Sequence, residues 1–211
     1  RGDKSASDGA GLKEASLKFI SGIKEVISDK RIAITSGIEG LQNMTMGALE
    51  AFLPIYAVKV AGLNEFQAGI LWGVQVVTTI LSKPIMGRTS DKYGRKALIS
   101  VGILTCAISF GLVPVFRDFH LLMITAAFFG LGEALVTSSG AAFVADLCKE
   151  KHFGTAMGTF GTIFDIGHAS GPILAGFLLA HHGYLFLFWA MSVALLIVVP
   201  IFSLTVHANG P

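Results

Sequence analysis

The chain has 211 residues, of which 53% are hydrophobic and only 14% charged, with a mean hydropathy of +0.68. Such a composition excludes an ordinary soluble domain, and a formal charge of +2 gives no reason to invoke nucleic acid as a partner. The two cysteines, Cys106 and Cys148, fall inside an apolar run and beside a polar connection, so no disulfide is expected, and Cys and His show no metal-ligand spacing.

Residues 1–11, RGDKSASDGAG, are small and polar and read as a flexible linker. The chain opens on Arg1 rather than Met, as expected of a piece of a longer protein or of a processed or engineered chain, and no signal peptide is expected before the first apolar run. Over residues 12–30, Leu12, Phe19, Ile20, Ile23, Val26 and Ile27 recur at helical spacing against Lys13, Lys18 and Lys24. This predicts an amphipathic helix, lying on the inner membrane surface or tying together two parts of a larger protein.

Six long apolar runs follow, at roughly 32–58, 66–86, 97–116, 120–145, 153–181 and 184–206, with a short tail at 207–211. A helix of about 20 apolar residues crosses a bilayer, so an all-α bundle of six transmembrane helices occupies 31–206. The connections are short, which makes successive helices antiparallel neighbours. With the N-terminus in the cytoplasm, all 16 Lys and Arg except Lys59 and Arg117 fall on the cytoplasmic side. The positive-inside rule then places both termini there.

Ionisable side chains within the spans are the first candidates for chemistry, because each costs about 2.5–3.5 kcal/mol at the bilayer centre. Glu39, Glu50, Glu133 and Asp165 are four such carboxylates, and they must face one another, a polar cavity or water. Glu39, Asn43, Met46 and Glu50 fall on one face of the first span, with Gln42 beside it. Glu133, Thr137 and Gly140 make a shorter polar and small face on the fourth. Asp165 shares a face of the fifth with Gly158, Gly161 and Pro172, and His168 lies one turn on. Such a set can bind a polar solute or relay protons, since burial favours the neutral form of a carboxylate. The alternative is that these groups only hydrogen-bond neighbouring helices. Gly130-Leu131-Gly132-Glu133 lacks the third glycine of a dinucleotide loop and there is no phosphate-binding loop, so no cofactor is expected. Ser138 and Ser139 raise an intramembrane serine protease, but the histidines are misplaced for it: His168 is one span early and His207 is at the end of the last.

The most polar interruption is GRTSDKYGRK at 87–96, in which five residues of ten are charged. Gly87, Asp91, Lys92, Gly94, Arg95 and Lys96 follow Gly-x-x-x-Asp-(Arg/Lys)-x-Gly-(Arg/Lys)-(Arg/Lys). This resembles the signature loop of the major facilitator superfamily, which lies between the second and third helices of each six-helix half. A second resemblance lies in the fifth span, where Gly158, Gly167, Gly171, Pro172 and Gly176 look like the glycine-proline pattern of that superfamily's antiporters. Ala175 departs from it. The fourth span has no arginine before Gly130, unlike a first half, so the chain resembles helices seven to twelve of a twelve-helix transporter.

The resemblance implies a proton-coupled secondary transporter of a small organic solute in a bacterial plasma membrane, working by alternating access, with antiport or efflux favoured. Glu133 and Asp165 would handle protons and the Glu39–Glu50 face the substrate. Asp91, Arg95 and Lys96 would gate by pairing with helix ends of the other half. The partners implied are that missing N-terminal half or a second copy, a small-molecule substrate, protons and the lipid bilayer. A receptor or scaffold that keeps the fold without the flux is the alternative from another class.

Overall fold

The computed structural model describes residues 30–148 and 153–205, together with Leu17 and Ile20. Leu17 and Ile20 are helical and exposed. The rest of the expected amphipathic helix, the linker and the tail lie outside the described residues.

Five helical stretches follow: α1 (Lys30–Lys59), α2 (Glu65–Tyr93), α3 (Arg95–Leu112, continued by a 3₁₀ turn over Val113–Val115), α4 (Phe119–Leu147) and Phe153–Thr205. The last has 53 residues, about 80 Å of helix, far more than one crossing needs. Its helical geometry breaks at Gly183, whose φ of 81° lies in the left-handed region that favours glycine. We label its arms α5 (153–182) and α6 (184–205). No strand occurs among the described residues. The outcome is an all-α bundle of six helical arms whose ends fall close to those expected from hydropathy.

Two details differ from the sequence reading. α1 is long enough to cross a membrane, but only Glu65–Tyr93, Arg95–Val115, Phe119–Leu147 and Phe153–Thr205 are both long and apolar enough. The polar stripe of Glu39, Gln42, Asn43 and Glu50 sets α1 apart. Secondly, the stretch from Gly87 to Tyr93, expected as a loop, is helical and extends α2 by two turns. Gly94 alone makes the corner: it has a φ of 91° and donates its N–H to the Ser90 carbonyl, and α3 begins at the next residue. Its neighbours already satisfy helical bonding, so one residue outside helical geometry is enough to turn the chain.

The helix starts are written locally. Asn64 caps α2 in a reciprocal box with Gln67, at 2.8 and 3.1 Å, and Asp118 accepts from the N–H groups of His120 and Leu121 to start α4. Between helices, glycines permit backbone contact. A Cβ on Gly171 of α5 would run into the Met44 carbonyl of α1, and one on Gly167 into the Gly40 carbonyl. α1 and α5 therefore touch along a seam of small residues. α2 packs on α4, and α3 lies between α4 and α6. Ser192 and Trp189 of α6 donate to the Ala107 and Gly111 carbonyls of α3, at 2.6 and 3.1 Å. An aromatic cluster of Tyr56, Phe110, Phe129, Tyr184 and Phe188 fills the end of the bundle away from Gly94. Val77, Leu81 and Ile85 of α2, and Val193, Ile197 and Ile201 of α6, stay exposed, an apolar exterior suited to lipid.

Candidate functional site

The polar stripe of α1 does not keep to one environment. Glu39, Gln42 and Asn43 are buried inside the bundle, Met46 is half-buried and Glu50 is exposed. Asn43 uses its amide to donate to the Glu39 carbonyl at 2.9 Å, and Gln42 Nε2 stands 3.9 Å from Cys106 Sγ. Thr45 donates back to the Gln42 carbonyl at 2.6 Å. Glu39 Oε2, Gln42 Oε1 and Asn43 Oδ1 are buried acceptors with no donor among the described residues. The Glu39 carboxylate lies against Gly140 of α4, where a Cβ would collide with it. The buried hydroxyls of Thr35, Ser36 and Ser139 likewise have no partner among the described residues, so this region gathers unpaired acceptors together with hydroxyls that can donate or accept.

Glu133 is placed differently. It is 2% exposed, and its Oε2 accepts hydrogen bonds from Gln75 Nε2 and, at 2.9 Å, from Thr79 Oγ1 of α2. Gln75 and Thr79 are themselves buried. Neither residue was singled out from the sequence. The available signal was the stripe of Gln75, Thr79 and Ser82 at i, i+4 and i+7 in an otherwise apolar helix, which marks one polar face of α2. The charge of Glu133 reaches Glu39, and the charge of Lys83 reaches both carboxylates. Thr137, one turn beyond Glu133, spends its hydroxyl on the Glu133 carbonyl.

The other two carboxylates do not join this centre. Glu50 Oε2 meets His168 Nε2 at 3.3 Å, joining α1 to α5 through two side chains that are 42% and 38% exposed. The glycine seam makes the contact possible, because Gly47, one turn before Glu50, sits against the His168 backbone. An open carboxylate–imidazole contact near the middle of α5 cannot face lipid cheaply and suits a polar space. Asp165 is exposed on α5, one turn before His168, and meets no cation among the described residues. Glu133 and Asp165, paired in role by the sequence reading, are thus not brought together. Of the fifth-span motif, Gly167, Gly171 and Pro172 lie on the α1 seam, Gly176 approaches Phe52, and Gly158 faces open space.

At the α2–α3 corner, Arg95 is the hub. It pairs with Asp91 at 3.0 Å, reaches Ser90 Oγ at 3.3 Å, and binds Asp146 at the end of α4 through Nε. Asp146 went unremarked in the sequence. Lys96 donates to the Ser203 carbonyl of α6 at 2.7 Å, and Lys92 lies over the Tyr93 ring. Both carboxylates that Arg95 meets belong to this chain. Gly87 lies within helix, accepts from Ser90, and has open space where a Cβ would go. An apolar groove of about 460 Å³ between α3 and α4, lined by Ile108, Leu121 and Phe128 among others, touches none of these carboxylates. No group of His, Cys, Asp and Glu able to hold a metal occurs among the described residues.

The family model of the Major Facilitator Superfamily matches residues 15–211. Multidrug resistance protein 1 of Bacillus subtilis is 31% identical over 134 residues, which are 64% of this chain and 34% of that protein. Quinolone resistance protein NorA of Staphylococcus aureus is 25% identical over 133 residues, 63% of this chain and 34% of its own length. The chain thus spans about a third of the length of these curated relatives. Among solved structures, the crystal structure of tetrameric PepTSo2 superposes with a TM-score of 0.68 at 16% identity, covering 81% of this chain and 38% of that one. That likeness carries the fold alone. The members of the matched family are membrane transporters and not enzymes, which disposes of the protease alternative. A family match over nearly the whole chain, on a bundle of apolar helices with the 87–96 signature at its α2–α3 corner, makes this chain a member of the Major Facilitator Superfamily.

Proposed function

We propose that this chain is one six-helix half of a secondary active transporter that exports a small, drug-like organic solute in exchange for protons. It works by alternating access against a second six-helix bundle, either an N-terminal half or another copy. The names of the resistance proteins it resembles favour efflux, and their bacterial sources favour the plasma membrane. The distribution of Lys and Arg favours cytoplasmic termini.

One observation carries the proton role: a carboxylate, Glu133, is buried in mid-span and, among the described residues, is hydrogen-bonded by the neutral donors Gln75 and Thr79 alone. Such donors tolerate either protonation state, which a proton carrier requires. The Glu39–Asn43 acceptors form the inner wall of the pathway, and the Glu50–His168 pair forms its open part, where solute is met. Asp165, exposed beside that pair, adds negative charge suited to a cationic solute. The Asp91–Arg95–Asp146 cluster, with Lys96, acts as the cytoplasmic latch, a set of pairs that can be exchanged between states.

The test is flux of a panel of fluorescent drug-like solutes in proteoliposomes carrying the complete transporter, with and without a pH gradient. Gradient-driven accumulation of at least one solute, lost in Glu133→Gln, is the expected result. Accumulation that ignores the gradient sinks proton coupling, and no movement of any solute favours a receptor or scaffold role.

A further inference from the structure

The donors around Glu133 are unevenly placed. Gln75 Nε2 and Thr79 Oγ1 both bond Oε2, and no donor reaches Oε1 among the described residues. The Thr79 hydroxyl has one proton but three acceptors in reach: Glu133 Oε2 at 2.9 Å, the Gln75 carbonyl at 3.0 Å and the Gly130 carbonyl at 3.2 Å. Gly130 allows this crowding, since a Cβ there would strike the Gln75 carbonyl and meet Thr79 Oγ1. The hydroxyl can therefore change acceptor by rotating about one bond, with α2 and α4 left in contact.

From this geometry we infer that Gln75 and Thr79 are positioning residues that occupy Oε2 of Glu133 and leave Oε1 for the transported proton, with Thr79 relaying the proton's presence from α4 to α2. The inference rests on Glu133 being the proton site proposed above. With Glu133 ionised, both donors bind Oε2, because hydrogen bonds to a charged acceptor are roughly twice as strong as neutral ones. When a proton from water adds to Oε1, Oε2 becomes the carbonyl oxygen of a neutral acid and loses that advantage. Thr79 then turns to the Gly130 or Gln75 carbonyl, and one bond between the α2 and α4 side chains is exchanged for one to backbone. When the proton leaves, the hydroxyl returns. Among the described residues, the charges of Lys83 from α2 and His168 from α5 reach Glu133, and the charge of Glu133 reaches Glu39 on α1 and Cys106 on α3. None of them donates to Oε1.

The readout is a coupling ratio in the complete transporter: pH-gradient-driven accumulation of a fluorescent solute divided by gradient-free exchange of the same solute. Thr79→Val keeps the shape and removes the donor. It is expected to lower the ratio about tenfold, the size of one lost hydrogen bond to a charged acceptor. Thr79→Ser is expected to restore the ratio to within about twofold, and on a Glu133→Gln background Thr79→Val adds no further loss. Equal falls in accumulation and exchange would leave Thr79 a structural residue and overturn the inference, as would a Thr79→Ser that behaves like Thr79→Val. If Glu133→Gln lowers the ratio and Thr79→Val does not, this inference alone fails. An undiminished ratio in Glu133→Gln takes down the proton site and the inference together.

Discussion

Glu133 and Asp146 are carboxylates on the same helix, α4, about 20 Å apart along its axis, yet they are held in opposite ways. Asp146 sits at the helix end with its side chain 57% exposed and meets the guanidinium of Arg95. Glu133 sits in mid-helix, buried, and meets an amide and a hydroxyl. Where water is at hand, a full counter-ion is cheap to supply and easy to release, so the end of the helix carries an ion-pair cluster. Inside the bundle, a guanidinium would fix the carboxylate in its charged state. Neutral donors hold it in place and leave it free to be protonated. One helix thus joins a centre held by charge to a centre held by packing.

The largest expected effect breaks the interior centre chemically. Glu133→Gln keeps the volume and removes the titratable proton, and gradient-driven transport is expected to fall roughly a hundredfold, the lower range for loss of a proton-transferring group. Proteoliposome flux measures it. Next, Gly130→Ala breaks the same centre by packing, because the added Cβ meets the Gln75 carbonyl. A loss of about 1–3 kcal/mol is expected, read by thermal unfolding in detergent and insensitive to salt. Arg95→Ala attacks the other centre. Its partners Asp91 and Asp146 are more than half exposed, so about 0.5–1 kcal/mol is expected, and the difference from the unsubstituted protein should shrink as salt is raised. A salt-independent Arg95→Ala effect, or a salt-dependent Gly130→Ala effect, would erase the contrast. The smallest change is Asp165→Asn, which removes an exposed carboxylate with no cation partner among the described residues. Its stability should stay within about 0.5 kcal/mol, while uptake of cationic solutes, compared with neutral ones, reports any role in the open part of the pathway.

Much of this was legible in one dimension. Hydropathy marked out the helical arms because lipid and core both demand long apolar runs, most weakly for α1 with its polar stripe, and intrahelical bonding satisfies each run locally. The Asn64–Gln67 box and Gly94 are likewise local: cap and corner depend on residues adjacent in sequence. Cost alone drew attention to Glu39, Glu50, Glu133 and Asp165, since an ionisable group in a span needs a reason. The reading was less sharp where a polar segment could still be helical. Charge made 87–96 look like a loop, yet Arg88, Thr89 and Lys92 can remain in a helix when its end reaches water.

Who meets whom was not legible. Thr79 and Gln75 lie 54 and 58 residues from Glu133, and nothing local ties them to it. Their meeting depends on the register of α2 against α4, set by the absence of a Cβ at Gly130. The same holds for Glu50 and His168, aligned by the α1–α5 seam at Gly40, Gly47, Gly167 and Gly171, and for Asp146, which reaches Arg95 only because α4 ends beside the α2–α3 corner. The sequence by itself determined the class of protein, the helical runs and which residues are costly. Only the tertiary structure decided that Glu133 is enclosed by neutral donors, that Glu50 is paired in the open and that Asp165 stands apart. Helix formation is satisfied within a segment, whereas side-chain pairing is chosen by how closely separate segments can approach.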